Sequence, residues 1–250
     1  MRAHFLNMVL VVVIVLYTGQ ALAKTNHTDI IAAKEKADQL MFPGYTIYTP
    51  SWTFPITPGN GNATAAFNGT IEHAMIQMEE AYPGWRKTYD EHLHSTPLLK
   101  KRDDYWKRDS CCYHCDADNR RGWPQANLVA IWGGIDYLKR QPGPGGIGNK
   151  GCGRVSCSWN SGIWICNDHD GPLTLVDWHP VAEGADFLCN LTFDCTTYPR
   201  NLEDPFCKGQ AFHFCDDADG PNRIPCPHEP WDVIVRGLKQ DGTEDGGGHC

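Results

Sequence analysis

Two stretches of the chain offer the oxygen-rich turn that suits a hard cation. They are Asp168-His169-Asp170-Gly171-Pro172 and Asp217-Ala218-Asp219-Gly220-Pro221, each close behind a cysteine, Cys166 and Cys215. Calcium takes six to eight oxygen ligands, and an EF-hand loop closes on a bidentate Glu that neither stretch supplies. Asp-Gly is also an ordinary turn signal, so the expectation is two turns and no metal. A second chemistry would use His169, His179 and His213 with Asp168 or Asp177 as the acid–base pair of a hydrolase. In their local contexts the three histidines read instead as a turn residue, a helix start and a strand residue. No G-x-S-x-G elbow and no H-E-x-x-H occurs. The glycine-rich run 143–148 follows a helix rather than a strand, so it reads as a flexible connection and not a phosphate cradle. No catalytic residue and no cofactor is therefore assigned.

The cysteines carry more information. All twelve lie from Cys111 onward: Cys111, Cys112, Cys115, Cys152, Cys157, Cys166, Cys189, Cys195, Cys207, Cys215, Cys226 and Cys250. Cys112-x-x-Cys115 beside His114 resembles half a zinc site, but an even number of cysteines behind a secretory signal reads as a disulfide framework. Connectivity cannot be read from spacing, beyond the expectation that adjacent Cys111 and Cys112 take different partners. The signal is the apolar run 8–17 after Arg2, ending on Ala21-Leu22-Ala23; it is too short for a membrane span. Residues 1–23 are thus expected to be a signal peptide, and the mature chain to be extracellular with no membrane span.

Two basic doublets, in Lys100-Lys101-Arg102 and Lys107-Arg108, stand just before the first cysteine. They resemble cleavage sites of kexin-type proteases, placing processing after Arg102 or Arg108; an exposed basic linker is the plainer alternative. Residues 24–108 are accordingly expected to be a pro-region or a loosely folded segment, and residues 109–250 a cysteine-rich domain. Charge divides at the same place. Residues 109–250 hold 11 Lys+Arg against 20 Asp+Glu, and residues 24–108 hold 10 of each. So acidic a domain argues against nucleic acid, which needs basic patches. Sequons at Asn26, Asn62, Asn68 and Asn190 are expected glycosylation sites, and hence surface positions.

The elements that must position these residues follow from pattern. The stretch 29–41 has helical composition behind a Thr28 cap, 44–69 reads as extended and irregular, and 71–82 as a helix closed by Pro83-Gly84. Leu128, Ile131, Trp132, Ile135 and Leu138 give an apolar helical stripe in a helix starting at Pro124, with Gly133-Gly134 allowing another element to pack close. Residues 152–168 read as a hairpin whose strands, 154–159 and 163–166, are joined by the loop Asn160-Ser161-Gly162. That register pairs Trp159 with Ile163 and Cys157 with Ile165, and places Val155, Cys157, Trp159, Ile163 and Ile165 on one apolar face. A two-residue loop would instead oppose Cys157 and Cys166. A second helix begins at His179-Pro180 with Val181, Ala185 and Leu188 as its stripe and Cys189 stapling its end. Strands at 210–214 and 231–236 close the order helix, two strands, helix, two strands. The expected fold class is α+β: a small disulfide-stapled sandwich of antiparallel strands with helices on one face, preceded by an irregular N-terminal region. Of the nine tryptophans, Trp132, Trp159, Trp164, Trp178 and Trp231 mostly occupy apolar faces, so core packing is the default; the alternative for Trp164, on the face opposite the preferred core, is an exposed stacking platform.

The stretch G-C-G-R-V-S-C-S-W-N-S-G-I-W-I-C-N-D, with G-Q-A-F at 209–212 and W-D-V-I-V-R-G at 231–237, resembles a family of cysteine-rich secreted fungal proteins. The resemblance covers about residues 110–250. It implies secretion and a stapled domain, and the element order is similar to killer-toxin and necrosis-inducing-effector folds. The expectation is an effector-like or toxin-like protein that binds an extracellular protein or glycan; the alternative is a secreted hydrolase or glycan-binding module using the His and Asp loop residues.

Overall fold

The computed structural model describes residues 42–95, 113–114, 123–141, 143–189, 196–197, 205–213 and 231–238. Cys111, Cys112, Cys115, Cys195, Cys215, Cys226 and Cys250, sequons Asn26 and Asn190, Arg102, Arg108 and the predicted helix over 29–41 lie outside them.

The N-terminal part runs β1 (Thr46–Tyr48), β2 (Ser51–Thr57), β3 (Asn60–Asn68), α1 (Ile71–Ala81) and α2 (Trp85–Ser95). After β4 (Tyr113–His114) and β5 (Ala126–Asn127) come α3 (Leu128–Arg140), β6 (Gly145–Ile147), β7 (Gly151–Ser158), β8 (Ser161–Asn167) and β9 (Leu173–Leu175). Then follow α4 (His179–Cys189), β10 (Thr196–Thr197), β11 (Phe206–Cys207), β12 (Gly209–Phe212) and β13 (Trp231–Gly237). The central sheet has six strands in the order β1-β7-β8-β13-β12-β4. Only the β1–β7 pairing in it is parallel; the others are antiparallel. The fold is α+β, with helices on one face of the sheet, as the residue patterns predict.

Local chemistry explains the helices. Thr70 caps α1, its hydroxyl accepting from His73 N at 3.5 Å, and Ile71, Ala74, Met75 and Met78 form its buried stripe. Asn127 caps α3 by accepting from Ala130 N at 3.0 Å. The helix therefore starts at Leu128 rather than Pro124: residues 126–127 are taken up by β5, which pairs with β11. Leu128, Ile131, Ile135 and Leu138 are buried as the stripe predicts. A Cβ on Gly134 would lie 2.1 Å from Ser156 Oγ, so this glycine lets α3 sit directly on β7, while Gly133 faces open space. α4 covers 179–189 and is stapled by the Cys189–Cys207 disulfide.

Three expectations fail here. Residues 51–68 are not irregular but a hairpin, β2 with β3; the alternation of Trp52 and Phe54 with Ser51 and Thr53 is a strand signal that the Pro and Gly content obscures. Nor is the region loosely folded over 42–95. Trp52, Phe54, Ile71, Met75, Met78, Trp85, Tyr89 and Leu93 are buried in one cluster with Leu128, Ile131, Val155, Ile163, Val233 and Val235. The run 143–148 is no loose connection either, because 145–147 pairs with β9.

The sheet is buried on both sides. Val155, Ile163, Ile165, Trp231, Val233 and Val235 face the helices. Cys152, Cys157, Trp164, Cys166 and Ile234 face the other way and are covered by Phe42, Trp123 and Leu238.

Candidate functional site

The β7–β8 hairpin carries the one large aromatic side chain that the described residues leave in solvent, and the register decides which one it is. Ser158 opposes Ser161 and Cys157 opposes Gly162, so the loop is the two residues Trp159-Asn160. Both have positive φ, 50° and 53°. This is the left-handed pair of a type I′ turn, whose twist matches that of the strands. The expected three-residue loop is therefore wrong, and so is the expected pairing of Trp159 with Ile163. The alternative opposition of Cys157 and Cys166 does not occur either.

A bulge does the rest. Arg154 opposes Trp164 while Ser156 opposes Ile163, leaving Val155 as the extra residue. Val155 and Ser156 both turn toward the helices, and Cys157 falls back on the far side with Cys152, Trp164 and Cys166. A strict period of two cannot show this inversion. Glu72, in the first turn of α1, holds the bulge: Oε1 accepts from Ser156 Oγ at 2.5 Å and Oε2 from Cys157 N at 2.9 Å. Burial raises this carboxyl above its ordinary value, against the lowering effect of those two bonds. Beyond the bulge, Cys152 stands opposite Cys166 and the two form a disulfide.

Trp164 is thus core, 1% exposed, and Trp159 is at the surface, 79% exposed. The expected core position of Trp159 is therefore wrong, and so is the alternative of Trp164 as an exposed platform. Trp164 lies between the guanidinium groups of Arg154 and Arg236, at 5.7 and 5.9 Å from its ring, with the Phe42 ring at 6.1 Å.

The tip is held rigidly. Asn160 O accepts from Leu238 N at 2.8 Å, and Ser161 Oγ accepts from Asn127 N at 2.8 Å while donating to Trp159 O at 3.1 Å. Val129, also largely exposed, stands two residues from Asn127 at the same end of the sheet. A bulky residue in the left-handed region costs about 1–2 kcal/mol, and such outliers persist where the surroundings enforce them. The backbone of the tip is therefore held in place, and the indole it carries stands in solvent with its ring face accessible.

The other candidates serve their own elements. Asp168 accepts from the Tyr45 hydroxyl. Asp170 pairs with Lys150 at 2.9 Å, and this hydrogen bond and charge hold its carboxyl below the ordinary range. His169 Nδ1 accepts from Gly171 N, closing the turn on itself. Asp177 caps α4 at His179 N, and the His179 ring lies 3.2 Å from Glu183 one turn on. His213 stacks on Trp231 at 4.5 Å. No group of metal-ligating side chains occurs among the described residues. Trp178 and Trp231 are core, and Trp132 is half-buried with its N–H donated to Cys189 O. Cys157 is disulfide-bonded as well. Sequons Asn62 and Asn68 are exposed on β3. No helix among the described residues is long and apolar enough to cross a membrane.

The chain matches no protein-family model, no curated protein and no solved structure.

Proposed function

We propose that this is a secreted, disulfide-stapled protein, effector-like or toxin-like, that acts by binding an extracellular partner through the tip of its central hairpin. The exposed indole of Trp159, held in a strained turn, carries this reading. Disulfides in every described cysteine and the segment 1–23 fit the secretory route, and the likeness of 152–168 to cysteine-rich secreted fungal proteins is part of the same reading. Processing after Arg102 or Arg108, and glycosylation at Asn26, Asn62, Asn68 and Asn190, belong to it as well.

A glycan partner is the second reading, favoured by the same side chain: a flat aromatic ring exposed on a backbone-held turn is what a sugar face stacks on. A hydrolase built on the histidines draws no support from their contacts, since His169, His179 and His213 each engage groups of their own turn, helix or strand pair.

The test is to secrete wild type and Trp159→Ala, confirm equal melting temperatures, and titrate both with soluble cell-wall oligosaccharides and with intact target cells. Loss of binding at unchanged stability supports the reading. Equal binding by both proteins removes the tip as the contact.

A further inference from the structure

The cysteine-rich half of the chain carries a surface shaped to the cysteine-free half. Tyr48 of β1 lies flat over two bare backbone positions. A Cβ on Gly148 would stand 2.2 Å from the Tyr48 ring and hydroxyl, and one on Gly151 only 2.1 Å from the ring. Beside them, a Cβ on Gly153 would lie 3.2 Å from Tyr48 O. Any side chain at Gly148 or Gly151 would expel the ring, so the N-terminal segment is seated where later residues leave room for it. β1 also runs in register along β7, Thr46 against Gly151 and Tyr48 against Gly153. It thereby covers the strand edge that β7 would otherwise offer to other chains.

The contact continues into the core. Trp52 packs on Trp178 with ring centroids 4.6 Å apart. The Tyr89 hydroxyl donates to Gln141 Oε1 at 2.8 Å, and Arg140 Nη1 donates to Leu93 O at 3.1 Å. Glu72 accepts from both Ser156 and Cys157, so the bulge that orients the hairpin is held from the N-terminal side. No cysteine precedes Cys111, so no disulfide can join the two halves.

The geometry points to residues 42–95 being a permanent, non-covalently held partner of the cysteine-rich half: a cut at the dibasic doublets yields a two-chain protein and does not release a pro-peptide. The inference rests on the processing included in the proposed function. A secretory-pathway protease would hydrolyse the bond after Arg108, adding one water and leaving a carboxylate on Arg108 and an amine on Asp109. The buried rings, the β1–β7 ladder and the Glu72 bonds are all intact after that step, because none of them passes through the cut.

The experiment replaces Lys100-Lys101-Arg102 in the full secreted chain with the recognition sequence of a site-specific viral protease. The cut is made in native buffer and confirmed on a denaturing gel without reductant. Both fragments should then elute together from a size-exclusion column at physiological salt, at the volume of the uncut protein. Separate elution of the N-terminal fragment overturns the inference. In the cut protein, Tyr48→Ala should release the fragment at lower urea than the parent; equal urea midpoints would overturn the role of the glycine cradle. Natural processing is read separately, by N-terminal sequencing of the secreted product recovered from the same column. Two N-termini in equal yield, one of them Asp109 or Asp103, fit a two-chain product, and Asp109 alone contradicts it. Lys24 alone would refute processing while leaving the cut-and-elute result standing.

Discussion

Trp164 and Trp159 lie five residues apart in one hairpin and have opposite fates. Trp164, in the body, is enclosed by Phe42, Arg154 and Arg236, and its environment is tight enough that a Cβ on Gly162 would lie 2.4 Å from its ring. Trp159, at the tip, touches little and sits at positive φ where a small polar residue would be unstrained. The body is organised for stability: a disulfide across facing residues, a bulge held by a buried carboxylate and apolar packing on both faces. The tip gives stability up to display a ring. The same side chain is therefore part of the core at one position and stands in solvent at the other.

The comparison can be broken first at Trp164. Trp164→Ala leaves a large cavity between sheet and covering loops and should cost about 3–5 kcal/mol. Failure of secretion, or a melting temperature well below wild type, is the expected outcome; normal secretion with an unchanged melting temperature would mean that the far face is not core.

Next is the staple at the root of the hairpin. Cys152 and Cys166 are separated by 14 residues, and opening a loop of that size costs about 3 kcal/mol. The double variant Cys152→Ser/Cys166→Ser should lower the urea midpoint accordingly. Binding through the tip should survive wherever the variant is folded, because the turn is held separately by Asn127 and Leu238.

Glu72 tests how the body keeps its register. Burial raises its carboxyl above the ordinary value in the folded state. Its contribution to stability is therefore fully present below the unfolded value and is lost as pH rises through the folded one. Tyr137 of α3 shares these surroundings, its own hydroxyl raised by burial. Urea midpoints of wild type from acid to neutral pH should show this decline, and Glu72→Gln, which keeps an acceptor for Cys157 N, should flatten it. An identical slope in both proteins would assign the pH dependence to other groups.

The smallest effect belongs to the tip and has the opposite sign. Trp159→Asn places a residue tolerant of positive φ in the first turn position and should raise stability by about 1 kcal/mol or less. It should also abolish binding. A variant that loses stability would show that the exposed ring packs on something in the folded protein; one that binds normally would sever the tip from function.

Much of this fold was legible from residue patterns. The stripe Leu128, Ile131, Ile135, Leu138 and the run 179–189 set two helices, because an apolar face every 3.6 residues has one way to be buried. The strands read at 210–214 and 231–236 appear at 209–212 and 231–237, the helix read over 71–82 spans 71–81, and the hairpin, though not its loop, was also readable, as was Cys189 stapling a helix end. Local sequence could not decide what depends on long-range contact. Whether Val155 is a regular strand residue or a bulge depends on Glu72, more than eighty residues earlier, accepting the N–H that the bulge frees. That one extra residue moves Cys157 to the far face; Trp159 is left in solvent by the two-residue turn, and Trp164 is buried because Phe42, Trp123 and Leu238 cover the far face. Likewise, the composition of residues 42–95 describes a polar, sequon-bearing segment, and only the seats at Gly148, Gly151 and Trp178 make it part of the core. Periodicity reports which residues need burial; which surface buries them is settled by the partner that reaches them in space.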